Sequence, residues 1–133
     1  MCCTFRAIRE GDDLIVYHRA EPLATIQDVM QEELSRAFGV FRNDEFALMS
    51  LCVPPPSQHQ GVGTGLLLEL ARICVHQSCR RIDVDDMSDR CQQVHNVYAR
   101  CGFHYRRRGL PEMSASPRAM LSRHEVQNSG GGK

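Results

Sequence analysis

The sequence lacks net charge and long apolar runs, and each absence excludes a class of protein. Sixteen basic residues balance sixteen acidic ones, so bulk charge attracts no polyanion and a nucleic-acid partner is not expected. No apolar run approaches the roughly 20 residues that span a bilayer, and the N-terminus has no apolar core typical of a signal peptide. We therefore expect a cytoplasmic protein, with the nucleus as the alternative location and no membrane partner.

Paired cysteine motifs are also lacking. The seven cysteines are scattered, with no CxxC and no Cys/His spacing typical of a zinc site, at positions 2, 3, 52, 74, 79, 91 and 101. Most of them lie on apolar stripes, where they are expected to behave as small buried apolar residues in a reducing compartment. No metal site is predicted.

The length and composition are those of one soluble globular domain, since the chain has 133 residues, of which 42% are hydrophobic and 24% charged. We assign residues 1–126 to this domain and residues 127–133, QNSGGGK, to a disordered tail. No internal repeat is visible.

One stretch organises the chain. Residues 45–53, EFALMSLCV, are apolar on both alternating faces, which is typical of a central strand buried on both sides. Three prolines end it. Further on, an apolar stripe with i, i+3, i+4, i+7 spacing predicts a helix that packs on a sheet, and it consists of Leu67, Leu70, Ala71 and Cys74.

A glycine-rich segment, QHQGVGTG, joins this strand to this helix. Glycines at 61, 63 and 65 let the backbone approach a ligand where a helix begins with unpaired N–H groups, so a phosphate site is predicted. A Walker loop is excluded because no Gly-Lys-Ser/Thr follows. The dinucleotide pattern GxGxxG is excluded because Leu66 replaces the third glycine.

The spacing of this segment instead resembles the acetyl-CoA-binding motif of the GNAT superfamily of N-acetyltransferases. The matching residues are Val53, Pro55, Gln58, Gly61 and Gly63. A second segment, NVYARCGF at residues 96–103, is similar to the Tyr-x-x-x-Gly-Phe motif of the same superfamily, and a weaker likeness covers a final strand at residues 117–121. Together they cover residues 45 to about 123.

This resemblance implies a fold and a co-substrate. The fold is a single GNAT-like α/β domain, which can also be described as α+β because its sheet is mixed. Its central twisted sheet contains splayed parallel strands and is flanked by helices. The pantetheine of acetyl-CoA would fill the gap between the strands and bind main-chain groups of Leu51, Cys52 and Val53. Its pyrophosphate would bind main-chain N–H groups of Gln58, His59, Gln60, Gly61, Val62, Gly63 and Thr64.

The resemblance also implies an activity, transfer of the acetyl group from acetyl-CoA to a primary amine of a small molecule, peptide or protein. Tyr98 is placed as the proton donor to the departing thiolate; the alternative is a core tyrosine. The base is left open among Asp83, Asp85, His59 and Glu45, of which Glu45 is the residue we assign. An oxyanion donor is expected in the main-chain N–H groups near Cys52 or Val53.

Two departures from the superfamily pattern support an alternative function. Cys91 stands where an asparagine often precedes the tyrosine, and the N-terminal half has little room for the usual strands. The alternative is a catalytically weak or inactive module that binds acyl-CoA or a protein partner. A hydrolase that uses Cys52 and His59 is a third and remote hypothesis.

The remaining elements follow from local patterns. Residues 3–9 predict a strand, and residues 14–17 fit either a strand or the superfamily's first helix. A helix begins after Thr25, whose capping partner is Asp28, and is expected to run to residue 36 or 37, with Gly39 past its end. A short strand then turns at Asn43 into the central strand.

The C-terminal third predicts a parallel strand at residues 81–85 and a helix that stops at Gly102. A closing hairpin is expected from residues 104–108 and 114–122, and its exposed edge would allow a homodimer. The basic run at residues 106–108 has two interpretations, a solvated edge or a contact with an anionic acceptor or the nucleotide 3′-phosphate.

Overall fold

The computed structural model describes residues 4–54, 61–85, 98–107 and 112–123, with only the main chain at Asp85. Seven strands form one sheet in the order β1-β2-β3-β4-β5-β7-β6. Their bounds are β1 Thr4–Glu10, β2 Asp13–Arg19, β3 Arg36–Arg42, β4 Glu45–Cys52, β5 Arg81–Asp85, β6 His104–Tyr105 and β7 Glu112–Ala115. Two helices have complete bounds, α1 Ile26–Gln31 and α2 Val62–His76, and residues 98–100 and 117–123 are also helical.

The first four strands form an antiparallel meander. Its two tight loops have two residues each, and Gly11 and Asn43 adopt positive φ values of 65° and 56°, as such loops require. Residues 14–17 therefore belong to strand β2 and not to a helix. Strand β2 thus supplies one of the strands for which the N-terminal half has little room.

Helix α1 is shorter than its sequence pattern predicts. The capping box is confirmed, because the Thr25 hydroxyl accepts from Asp28 N at 3.1 Å while the Asp28 carboxylate accepts from Thr25 N at 3.2 Å. The predicted end at residue 36 or 37 is wrong, since the helix ends at Gln31 and Gly39 lies inside β3. In β3 the side chains of Ala37 and Phe41 are buried in the sheet, and pairing with β2 and β4 outweighs the weak helical periodicity.

Strand β4 changes its buried face at a β-bulge. Phe38 pairs with Ser50 and Gly39 pairs with Leu48, which leaves Met49 without a partner in β3. The buried side chains are accordingly Phe46 and Leu48 before the bulge and Leu51 after it. Because a shift of one residue exchanges the faces of a strand, the bulge explains why the sequence reads as apolar on both faces.

Helix α2 covers one face of the sheet. The predicted stripe is confirmed, since Leu67, Leu70, Ala71 and Cys74 are at most 1% exposed. The helix ends in a Schellman arrangement: Cys79 N donates to Cys74 O at 2.8 Å, and Ser78 takes a φ of 62°. This turn brings the Cys79 thiol close enough to Cys74 to contribute to the raised pKa of the Cys74 thiol, of which burial is the larger cause.

The other face of the sheet carries α1. Ile15 and Tyr17 of β2 pack there with Ile26 and Val29 of α1. The helix contacts β1 and β2. Within the described residues, no helix is long and apolar enough to cross a membrane.

The C-terminal hairpin is smaller than predicted. Strand β6 has two residues and β7 ends at Ala115. Residues 117–123 are helical, so the prediction of a strand to residue 122, and with it the third and weakest resemblance, is wrong. Met120 is 2% exposed and packs in the same core cluster as α2, so the segment is held by tertiary contacts. The predicted tail at residues 127–133 lies outside the described residues.

A mixed sheet flanked by helices in one domain confirms the predicted fold class. Strands β4 and β5 are parallel and adjacent, as expected for a strand pair joined by a helical crossover. They are the only parallel pair among the described strands.

Candidate functional site

The candidate site begins where β4 and β5 part. Their pairing runs from Glu45↔Arg81 to Leu48↔Val84. Strand β4 continues through residues 49–52, of which Met49 pairs with no described strand and residues 50–52 pair only with β3. Among the described strands, none pairs with this segment on the β5 side, which is the side on which an extended ligand would pair. The carboxyl ends of parallel strands are where open α/β sheets bind ligands.

Leu51, Cys52 and Val53, the residues predicted to bind pantetheine, lie on this segment or directly after it. The side chains of Leu51 and Val53 are buried in the core, while Cys52 is half-buried. This burial suits residues that contact a ligand through the main chain. The side chains of Leu51 and Val53 hold this part of the chain in the core.

The N-cap residue of α2 is a glycine, which has no side chain to accept from the first N–H groups of the helix. Gly61 adopts a left-handed conformation with φ 78°, and no side chain caps the helix. The first intrahelical bond is donated by Gly65 N to Gly61 O at 3.0 Å, so the N–H groups of Val62, Gly63 and Thr64 have no partner in the helix. Uncapped donors at the positive end of the helix dipole favour an anion.

Gly65 has a different role from the one its spacing indicates. A Cβ at this position would overlap the ring of Phe5 on β1. Gly65 therefore allows β1 and α2 to approach each other and does not make room for a ligand. Three predicted members of the anion site, Gln58, His59 and Gln60, lie outside the described residues.

Tyr98 lies in the core close to the anion site. Its side chain is fully buried, and its ring centroid is 5.5 Å from that of Phe103. Burial raises the pKa of the Cys101 thiol, one helical turn further on, and the nearby Thr64 side chain in the first turn of α2 lowers it by a smaller amount. The segment that carries Tyr98 therefore lies near the N-terminus of α2.

Glu45 lies at the opposite end of β4 from the splayed segment. Arg80 Nη2 and Arg81 Nη2 contact its Oε2 atom at 2.8 and 3.0 Å. Arg81 also reaches Asp83, with Nε 2.9 Å from Oδ1 in an ion pair whose geometry is not that of a hydrogen bond. Six residues separate Glu45 from Leu51, which is roughly 20 Å along a strand. The structure does not bring Glu45 to the residues predicted to bind the coenzyme.

A cavity of about 260 Å³ lies on the face of the sheet opposite α2. Its wall includes Glu45 and Asp83, together with residues that the sequence did not suggest as site residues, namely Arg42, Met49 and Glu112. Arg106, from the basic run, also lines it. Met49 is 50% exposed at the bulge, so this cavity meets the point at which β4 leaves β5. Single charged residues at strand ends carry no sequence signal that would have identified them.

The arrangement suits an anionic ligand with an extended arm. The α2 terminus provides main-chain donors for a diphosphate, and the splayed part of β4 provides peptide groups for amides. The cavity on the other face offers space for a second reactant at the same strands. Among the described residues, no three His, Cys, Asp or Glu side chains lie close enough together to hold a metal ion.

Comparison with known proteins agrees with this geometry. The sequence profile of the Acetyltransferase (GNAT) family matches residues 5–103. No curated protein matches the chain in a sequence comparison. The match includes the α2 terminus and Tyr98 but not Arg106 and Glu112 of the cavity wall.

Solved structures share the fold at low sequence identity. A PaiA N-acetyltransferase from Thermoplasma acidophilum in complex with coenzyme A has a TM-score of 0.59 and 18% identity, over 79% of this chain and 61% of that one. Nourseothricin acetyltransferase has a TM-score of 0.59 and 14% identity, over 86% and 84%. The ribosomal-protein-S18-alanine N-acetyltransferase from Escherichia coli has a TM-score of 0.52 and 17% identity, over 80% and 67%.

The chain thus spans about three fifths of the length of the PaiA enzyme. The identities are low enough that these neighbours establish the fold alone. The profile match covers well over half of the sequence. The chain belongs to the GNAT family of acetyltransferases.

Proposed function

We propose that the protein transfers the acetyl group of acetyl-CoA to a primary amine, by direct attack through a tetrahedral intermediate. The observation that carries the proposal is the glycine-led N-terminus of α2, which no side chain caps, together with the segment of β4 that no described strand pairs with on the β5 side. Coenzyme A requires a diphosphate site and an extended groove, and we assign the first to the helix terminus and the second to this segment of β4.

Residues 58–64 would bind the diphosphate of the coenzyme, and Leu51, Cys52 and Val53 would bind its pantetheine arm. Of these, Gly61, Val62, Gly63 and Thr64 present the main-chain donors of the first helical turn. The PaiA structure similar in fold was solved with coenzyme A, which supports the same ligand here.

The chemistry has three requirements, an unprotonated amine, stabilisation of the oxyanion and a proton for the thiolate. When bound, acetyl-CoA supplies the activated acyl group as a thioester. The main-chain N–H groups near Cys52 and Val53 are the proposed donors to the oxyanion. Tyr98 is the proposed proton donor, since Cys101 on the same segment lies near Thr64 in the first turn of α2.

Glu45 is the proposed base. Both arginines contact its Oε2 atom, which leaves Oε1 to accept from a water molecule in the cavity that Glu45 lines. Because Glu45 is far from the splayed segment, the proton of the amine would reach it through water.

Calorimetry with coenzyme A and release of free thiol from acetyl-CoA with an amine panel test this proposal. Gly61→Ala is expected to weaken coenzyme binding by about tenfold, because a side chain at φ 78° is strained and displaces the donors. Gly11→Ala is the matched control. Gly11 has a similar φ of 65°, and a Cβ would meet nothing within 4 Å at either glycine, but Gly11 lies in the β1–β2 loop.

Coenzyme binding that is equal in Gly61→Ala and Gly11→Ala would overturn the placement of the diphosphate. Tight binding without turnover on any amine would support the alternative, a coenzyme-binding module. The ion pairs that Arg81 makes with both Glu45 and Asp83 favour that alternative, since they occupy two of the candidate bases.

A further inference from the structure

We propose that the cavity opposite α2 binds an acceptor amine that also carries an anionic group, such as an amino acid, with Glu112 holding its ammonium group and Arg42 and Arg106 its anion. This inference rests on the proposed function and adds the class of acceptor. All three side chains are exposed and line the same cavity.

The charges on the cavity wall fall into two groups. Glu45 and Asp83 are neutralised by Arg81, which lies between them and contacts both, and Arg80 also contacts Glu45. Arg42, Arg106 and Glu112 make no ion pair with any other described residue. The charges left for a ligand are therefore two guanidinium groups and one carboxylate.

Glu112 is the one carboxylate of the cavity wall that pairs with no described arginine. In the register of β5 and β7 it pairs with Asp85, one residue beyond Val84, where the pairing of β4 and β5 stops. Glu112 is thus level with the start of the splayed segment and two strands from β4, which is roughly 10 Å. An ammonium group bound there lies beside the point at which the coenzyme arm would end.

The two arginines reach the cavity from different strands, Arg106 from the end of β6 and Arg42 from the end of β3. Arg106 N donates to Glu112 O at 3.0 Å, so Arg106 is the neighbour of Glu112 across the β6–β7 hairpin. Arg42 pairs with Glu45 at the start of β4. A guanidinium binds a carboxylate or phosphate with parallel hydrogen bonds, and it repels a second ammonium group.

The charges on the cavity wall therefore determine which acceptor amines bind. A polyamine or a lysine-rich peptide would place additional positive charge against Arg42 and Arg106. An acceptor with one amine and one anion matches all three uncompensated groups. A cavity of about 260 Å³ is slightly smaller than the roughly 300–1,000 Å³ of most small-molecule sites, which favours a small acceptor.

The test uses the whole chain saturated with acetyl-CoA and a panel of amino acids that differ in the separation of amine and carboxylate. Each amino acid is paired with its carboxamide, which keeps the amine and removes the anion, and a diamine completes the panel. The wild type is expected to favour each acid over its amide by about tenfold in kcat/KM, as for loss of a charge-assisted hydrogen bond.

Arg42→Gln with Arg106→Gln is expected to abolish this preference and to leave the KM for acetyl-CoA unchanged. Arg107→Gln is the matched control, because Arg107 is also exposed but is not part of the cavity wall. Glu112→Gln is expected to raise the KM of acids and amides alike, since both present the ammonium group. The same comparison by chemical-shift titration into protein saturated with coenzyme A does not depend on turnover.

Two results would overturn the inference while the proposed function stands: a diamine preferred over the amino acids, or an acid preference that survives the double arginine substitution. Equal binding of acid and amide in the titration would also overturn it, whether or not turnover is seen. Failure of coenzyme A to bind in calorimetry is a separate outcome, and it removes the proposed function itself.

Discussion

Tyr98 is the residue for which the catalytic and the structural interpretation differ most clearly. Its side chain has no exposure and packs on Phe103, as a core tyrosine does. Cys101 on the same segment lies near Thr64 in the first turn of α2, as a proton donor near the thioester would require. The packing of the ring agrees with both interpretations, so a substitution that removes only the hydroxyl distinguishes them.

Tyr98→Phe is expected to lower kcat for acetyl transfer by about 10²-fold, within the usual range for a proton donor, and to leave the KM for acetyl-CoA unchanged. The measurement is steady-state release of thiol at saturating amine. Tyr105→Phe, on exposed strand β6, is the control substitution. If both variants keep the wild-type kcat, Tyr98 is a core residue only.

At the scale of single residues, the sequence predicts those whose type is required by a local main-chain conformation. Gly61 follows from its motif because a left-handed N-cap requires a residue without a Cβ. Gly65 is also a glycine, but its role is to let Phe5 pack against α2, which no local sequence pattern reveals. Arg42 and Glu112 come together only through the order of strands in the sheet, so spacing along the chain does not predict them.

Contacts between elements explain which boundaries the sequence predicts. The capping box at Thr25 and the turn at Asn43 are local and are confirmed. The end of α1 and the β-bulge at Met49 depend on pairing with distant strands. An apolar run that changes face within β4 cannot be separated, from sequence alone, from a strand buried on both sides.

Gly65→Ala is expected to destabilise the packing of β1 against α2 by roughly 1–3 kcal/mol, the usual cost of overpacking. The measurement is the free energy of unfolding in urea. In a Phe5→Leu background the same substitution should cost less, because the smaller side chain can move away from the new methyl group. An equal cost in both backgrounds would mean that the Phe5 contact does not explain the glycine.

Buried thiols link the stability of the whole molecule to pH. Burial is the main cause that raises the pKa values of Cys74, Cys79 and Cys101, and for Cys74 the neighbouring Cys79 thiol adds to it. An unfolded thiol titrates near about 8.5. Between that pH and the higher folded pKa, the native state holds more protons than the unfolded state. The contribution to stability is therefore complete below about pH 8.5 and is lost as the pH rises above it.

The free energy of unfolding of the wild type is expected to fall between pH 7.5 and 9.5, because the buried thiols stay protonated in the native state while those of the unfolded chain lose their protons. Cys74→Ala should show a smaller fall over the same interval. Urea unfolding at both pH values measures this fall. The difference in the free energy of unfolding between the wild type and Cys74→Ala at pH 7.5 gives the packing cost of the substitution. Identical pH dependence in the two proteins would contradict the role of Cys74.

The overall architecture was the most predictable property, because it follows from long apolar patterns and two motifs in order. The central strand, the stripe of α2 and the parallel strand β5 are all confirmed. The acceptor side of the sheet was the least predictable. It is built by strands β3, β6 and β7, whose short or irregular segments leave only weak periodicity.

The limited pairing between β4 and β5 has a consequence for the order of folding. The strands of the β1–β2, β3–β4 and β6–β7 pairs are close in sequence, and β2 reaches β3 through residues 20–35, which include α1. Strands β4 and β5, in contrast, meet only after the longer crossover of residues 53–80 has closed. Loop-closure entropy delays such long-range contacts, so this seam is expected to form late and to open first. Amide hydrogens along it should exchange fastest within the central strands, and a molecule that bridges the two edges would slow that exchange there before anywhere else.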